Sequence, residues 1–185
     1  EVDLFFHSLD LLVKYLEVEQ VIIAIEDNKP KAVDTILKAM GDRTYAKIAV
    51  FPTLYPQGAE KMLIYQTLDR VVPEGKLPAD IGVIMLNVVT VIEMGRYFRD
   101  GIPLVSKRVT IDGNAIKNPT NVRAPIGTSV RELAEFCGGY KNEPRKILMG
   151  GPMMGITIYD ESYPLLKNNN ALLFFDKEQS FRYEE

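Results

Sequence analysis

Three short polar turns in this 185-residue chain carry residue types that could do chemistry, and each of them follows an apolar run. Glu26-Asp27-Asn28-Lys29-Pro30 sets two carboxylates and an ammonium side by side. Such a string could hold a metal or work as an acid–base pair, although a solvated turn is its commoner origin. In Tyr55-Pro56-Gln57-Gly58-Ala59-Glu60-Lys61, Gly58 and Ala59 keep the turn free of bulk, so a ligand could reach the backbone amides. A helix start there would favour an anion. Glu60, in the first helical turn, already meets part of that need, and a capped helix behind a proline-rich loop is the plainer reading. Asn87-Val88-Val89-Thr90 closes an apolar run and opens a helical pattern. Asn87 can cap that helix by accepting an amide hydrogen bond, or it can offer its amide to the hydroxyls or phosphate of a ligand. Residue types alone favour the cap.

Other chemistries lack their residues. The chain has one cysteine, Cys137, and one histidine, His7. They rule out an intramolecular disulfide, a Cys/His zinc site and a four-thiolate iron–sulfur cluster built from these residues alone. Cys137 reads as a buried structural thiol at a helix end, and His7 as an ordinary helical histidine. No Walker motif is present. Gly150-Gly151-Pro152-Met153-Met154-Gly155 is glycine-rich, but its proline removes an amide donor. It reads as a tight turn letting two backbones approach, with Met153 and Met154 as packing residues. A net charge of -3 gives no general basic field, so nucleic acid is not expected as a partner. The longest apolar run, Ile81 to Ile92, is too short and interrupted to span a bilayer, and the N-terminus has no secretory pattern. A cytoplasmic protein without direct membrane insertion is expected.

The elements that must position these turns follow from periodicity. Residues 3–17 place apolar side chains at helical spacing. Strand-length apolar runs then alternate with helical segments three times: Val21–Ile25 with 31–40, Ala46–Phe51 with Ala59–Leu68, and Ile81–Leu86 with Val88–Asp100. That alternation predicts a parallel sheet with packed helices, and the three polar turns fall at the strands' carboxyl ends, where such sheets bind ligands. After Gly101 the texture changes to a hairpin turning at Asp112-Gly113-Asn114, a helix capped by Thr128 or Ser129, and further short strands. The expected fold class is thus α/β, a Rossmann-like layer over residues 1–101 followed by a β-grasp domain over 102–165. A tail, 166–185, contains a short apolar strand at Ala171–Phe175.

Six segments, taken in order, resemble one family over nearly the whole chain: Ile25–Pro30, Tyr55–Lys61, Leu77–Val83, Gly101–Leu104, Pro125–Thr128 and Met149–Gly155. The family is the C subunit of the Rnf electron-transport complex, itself related to the flavin-bearing, NADH-oxidising subunit of respiratory complex I. The resemblance implies an SLBB-type β-grasp domain after the flavin domain, with FMN and NADH as cofactors of the full protein. It further implies Gly58, Ala59, Glu60, Asn87 and Thr90 at the flavin, and Glu26 and Lys29 near the nicotinamide cofactor. No catalytic side chain is implied. The family's glycine-rich loop would precede Glu1, and its 4Fe-4S ligands would follow Glu185, beyond the tail, in a ferredoxin-like domain. The chain is therefore expected to be a fragment that binds flavin weakly or not at all. Its partners would be other subunits of a membrane complex, with peripheral association at the cytoplasmic face. A proline-reductase-associated relative, a non-catalytic docking module and a small-ligand-binding β-grasp protein are the alternatives.

Overall fold

The computed structural model describes residues 1–176 and divides into two compact units, Glu1–Pro103 and Leu104–Glu185. The first begins with α1 (Val2–Leu16), whose Leu4, Phe5, Phe6 and Leu9 are buried on one face. β1 (Val21–Glu26), α2 (Pro30–Met40) and β2 (Ala46–Phe51) follow. Pro30 opens α2 and Gly41 closes it, the former because its missing amide is not needed at a helix start. β1 and β2 pair in parallel, from Val21 opposite Ala46 to Glu26 opposite Phe51. α3 (Glu60–Leu68) and α4 (Val88–Asp100) complete the unit.

The apolar run Ile81–Leu86, expected as a third strand, is not one. Pro78–Ile81 forms a 3-10 turn ended by Gly82 at φ 72°, and residues 83–87 have no regular structure. Proline at the start favours the tight turn, and a strand needs a ladder partner that β1 and β2 do not supply here. Ile84 and Leu86 stay exposed, so apolar composition alone is a misleading strand signal at this segment.

The core of this unit lies where α1 meets α4. Val91 and Ile92 of α4 pack against Leu4, Phe5, Phe6 and Leu9, with Val21, Ile23 and Ile36 closing the cluster from the sheet and α2. Gly95 sets the helix spacing, since a Cβ there would stand 2.1 Å from the Leu4 carbonyl oxygen. Arg96 forms an ion pair at 2.8 Å with Glu93, three residues back along α4, both side chains largely buried. Ser8 of α1 is fully buried, and its hydroxyl has no hydrogen-bond partner. An unpaired buried hydroxyl costs free energy, so Ser8→Ala should raise stability by about 1 kcal/mol in urea denaturation. A loss of stability would mean that the hydroxyl is satisfied in solution.

The second unit is a five-stranded mixed sheet. Its strands are β3 (Ser106–Asp112), β4 (Thr120–Pro125), β5 (Lys146–Met149), β6 (Ile156–Ile158) and β7 (Ala171–Phe175), ordered β4-β3-β7-β5-β6. β7 lies at the centre, parallel to β3 and antiparallel to β5. Ala171–Phe175, expected as a strand in the tail, thus supplies the buried Leu172 and Phe174 to the middle of this core. The remainder of the expected tail, residues 177–185, lies outside the described residues. α5 (Val130–Phe136) covers one face through Val130, Leu133 and Ala134. Ser129 caps it, accepting from the Glu132 amide at 3.2 Å while the Glu132 carboxylate accepts from Ser129. At the β3–β4 turn only glycine fits: Gly113 has φ 115°, and a Cβ would meet the Phe174 carbonyl at 2.1 Å.

Candidate functional site

The candidate residues of the first unit all sit in turns at helix starts or strand ends. Glu26 ends β1, and its carboxylate accepts from the Lys29 ammonium, which also donates to Asn28 Oδ1 at 2.9 Å. Lys29 is exposed and Glu26 half-buried. Asp27, which residue type left as a solvated acid, has a structural task. Its Oδ1 accepts from the Thr53 amide at 3.0 Å and the Thr53 hydroxyl at 2.8 Å, and its own amide donates to the Phe51 carbonyl. The turn after β1 is thereby stitched to the turn after β2. The parallel register makes this natural, since Glu26 lies opposite Phe51 and both chains leave the sheet together. Reading that register across the intervening helix would have found the pair; local pattern could not.

The second turn leads into α3. Gln57 is buried and its side chain hydrogen-bonds to Gln66 of α3, anchoring the loop from beneath. Gly58, Ala59 and Glu60 are exposed above that anchor. Around Gly58 there is no atom within 4 Å of where a Cβ would stand. Ala59 occupies the N-cap position but has no side chain able to cap, and the first intrahelical hydrogen bond is Leu63 to Ala59. The amides of Glu60, Lys61 and Met62 therefore lack acceptors within the helix. An open glycine followed by uncapped amides is a donor set suited to phosphate or carbonyl oxygens, with the Glu60 carboxylate ready to accept from a hydroxyl or ring N–H.

Asn87 is the N-cap of α4, and its Oδ1 accepts from the Val89 amide at 2.9 Å. The cap uses only the oxygen, so the Nδ2 group is left to donate elsewhere. Thr90, one residue beyond the capped amide, is exposed. The packing of α4 on α1 through Gly95 holds this helix start in place. Glu26 and Lys29 touch each other directly, whereas the α3 and α4 turns are each held by their own anchors, Gln57–Gln66 and the Asn87 cap.

Residues singled out in the second unit resolve plainly. Cys137 is buried, and burial pushes its thiol up, as befits a packing residue. In Gly150–Gly155 the Gly155 amide donates to the Gly151 carbonyl at 2.7 Å, and a Cβ on Gly150 would meet Gly155 Cα at 2.9 Å. This is a close turn between β5 and β6. Met153 and Met154, expected to pack, instead project at 70% and 91% exposure from its tip. A turn this tight has no interior for them. Among the described residues no helix is long and apolar enough to cross a membrane, and no cluster of three metal-ligating side chains occurs.

Comparison with known proteins matches residues 3–96 to the Nuo51 FMN-binding domain and residues 108–157 to the SLBB domain. Among curated proteins, the chain is 44% identical over 170 residues to the C subunit of the proton-translocating ferredoxin:NAD(+) oxidoreductase complex of Clostridium ljungdahlii, covering 92% of this chain and 37% of that protein. To the C subunit of the Na(+)-translocating ferredoxin:NAD(+) oxidoreductase complex of Acetobacterium woodii it is 39% identical over 173 residues, 94% of this chain and 39% of the relative. The C subunit of the ion-translocating oxidoreductase complex of Pseudomonas aeruginosa gives 44% over 169 residues, 91% and 22%. The chain thus spans between 22% and 39% of the length of these relatives.

Proposed function

The chain belongs to the Nuo51 FMN-binding domain family, with an SLBB domain following, and from that premise we propose that it is the flavin-facing part of an electron-transfer subunit in an ion-translocating ferredoxin:NAD oxidoreductase complex. The observation that carries the proposal is the uncapped start of α3, an open Gly58 and three amides with no intrahelical acceptor inside the matched segment. FMN, when bound, supplies the exchange between two-electron and one-electron chemistry, so the protein needs to hold and tune it rather than provide an acid or base.

Gly58 and Ala59 allow the ligand to approach the backbone, and the α3 amides donate to its oxygens. Glu60 accepts from ligand hydroxyls. Asn87 donates through Nδ2 while its oxygen keeps the α4 cap, and Thr90 adds a hydroxyl beside it. Glu26 and Lys29 stand at the carboxyl end of β1, where a nicotinamide nucleotide would find an acceptor for ribose hydroxyls and a cation for phosphate. The Glu26–Lys29 pair would have to open for this, which is inexpensive for so exposed a contact. NADH as donor and association with other subunits accord with relatives named as subunits of ferredoxin:NAD(+) oxidoreductase complexes, and 4Fe-4S clusters in the longer protein and a membrane location of the complex complete the reading.

In a protein extended to the length of these relatives, purified material should carry FMN visible in its absorbance spectrum and reduce an artificial acceptor with NADH. The 185-residue chain, which spans 37% and 39% of the first two relatives, should take up FMN more weakly than the longer protein. A longer protein that stays colourless and inactive when supplied with FMN would contradict the assignment.

A further inference from the structure

The flavin and nicotinamide reading gives Asp27 no part, yet its side chain joins the turn after β1 to the turn after β2. The two strands end side by side, Glu26 opposite Phe51. Past that last pair the Asp27 amide still donates to the Phe51 carbonyl at 2.8 Å. The next ladder bond would run from the Thr53 amide to a main-chain carbonyl of the neighbouring chain. The Asp27 side chain takes that place, its Oδ1 accepting from the Thr53 amide at 3.0 Å and the Thr53 hydroxyl at 2.8 Å. The chains thus stay joined while each goes on to its own helix, α2 or α3. Thr53 begins the loop that carries Gly58, so Asp27 holds that loop at its start and the Gln57–Gln66 pair holds it near its end. On the β1 side, the Lys29 amide donates to the Glu26 carbonyl at 3.1 Å, closing the turn that presents both side chains. Asp27 sits inside this turn and fixes its backbone, while the Glu26 and Lys29 side chains remain able to part.

We propose that Asp27 is a positioning residue, which through Thr53 sets the turn carrying Glu26 and Lys29 against the loop carrying Gly58, Ala59 and Glu60 and holds the first ready for a nicotinamide nucleotide. The inference rests on the assignment of those two turns to the two cofactors. A turn ordered in advance costs the nucleotide nothing to order on binding, whereas a loose one takes that cost out of the affinity. Asp27 touches neither cofactor in this role and acts only through the backbone it holds.

Steady-state reduction of an artificial acceptor by NADH, in a protein of the relatives' length, tests it. In Asp27→Ala the KM for NADH should rise about tenfold with kcat within about twofold of the parent's. FMN content should be unchanged, since the Gln57–Gln66 anchor remains. Asp27→Asn keeps an oxygen acceptor for Thr53 and should restore a KM close to the parent's. Thr53→Val loses the hydroxyl but keeps the amide and should give a smaller rise. Adding it to Asp27→Ala should raise KM no further, because both act through one contact. Amide hydrogen exchange of the same protein freed of cofactors gives a second readout. The Thr53 and Lys29 amides should exchange faster in Asp27→Ala and stay protected in Asp27→Asn. An active parent whose KM is unchanged in Asp27→Ala overturns the proposal alone, as do unaltered exchange, additive substitutions or an Asp27→Asn variant as impaired as Asp27→Ala. A parent that fails to reduce the acceptor overturns the cofactor assignment and this inference with it.

Discussion

Gly95→Ala should lower the stability of the first unit by about 2–3 kcal/mol, seen as an earlier urea midpoint at unchanged slope. The added Cβ would lie 2.1 Å from the Leu4 oxygen, 2.9 Å from its carbonyl carbon and 3.3 Å from its Cα. All three are backbone atoms, so no side-chain rotation relieves the clash and α1 and α4 must part. Parting them loosens Leu4, Phe5, Val91 and Ile92, which form the centre of that core. Alanine is intrinsically the better helix former by about 1 kcal/mol, and that gain is already set against the larger loss. A variant as stable as the parent would show that the helices are not in contact at this point.

Arg43→Ala should cost a similar amount, about 3 kcal/mol. Its guanidinium makes a two-point contact with Asp10, Nε to Oδ1 at 2.8 Å and Nη2 to Oδ2 at 2.9 Å. Nη1 donates to the Ala39 and Met40 carbonyls at 3.2 and 3.1 Å, satisfying the end of α2, and the plane lies 4.7 Å from the Phe6 ring centre. Tyr45 donates to the same carboxylate. One residue thus joins α1, the end of α2 and the approach to β2, and Arg43→Lys should recover little because a single ammonium cannot reproduce the fork. The Arg43 hydrogen bonds, foremost, hold the Asp10 carboxyl below its ordinary range. A lowered folded-state value means that the contribution is complete above the unfolded carboxylate pKa of about 3.9 and is lost as pH falls through the folded one. Unfolding free energy should therefore drop more steeply for the parent than for Arg43→Ala between about pH 5 and pH 2. Parallel pH profiles would show that Asp10 makes no such contribution.

Helices and strands with strong periodicity are legible in the sequence because burial on one face leaves its mark locally. α4 from Val88 to Asp100 and β5 from Lys146 to Met149 have the expected bounds. Ile81–Leu86 misleads because apolar content is shared by buried strands and by exposed irregular chain, and only a pairing partner distinguishes them. The Arg43–Asp10–Tyr45 cluster leaves no trace, since its members come from separate elements and charged residues near helix ends usually read as solvent-facing. Asp27 and Thr53 are hidden for the same reason, their link depending on the register of two strands separated by α2. Turns differ. Their residue types announce that Gly58–Glu60 and Asn87–Thr90 lie at helix starts, while whether a ligand uses them depends on surroundings that the turn itself does not encode.

Asn87 separates the two readings most sharply, because its oxygen caps α4 while the proposed flavin contact uses its nitrogen. Aspartate caps as well as asparagine but replaces the N–H donors with a carboxylate oxygen. In a protein of the relatives' full length, FMN affinity measured by flavin fluorescence should fall by at least about tenfold in Asn87→Asp, with the urea midpoint unchanged. Unchanged FMN affinity in that variant would leave Asn87 a helix cap and nothing more, and would contradict the placement of the flavin at this turn.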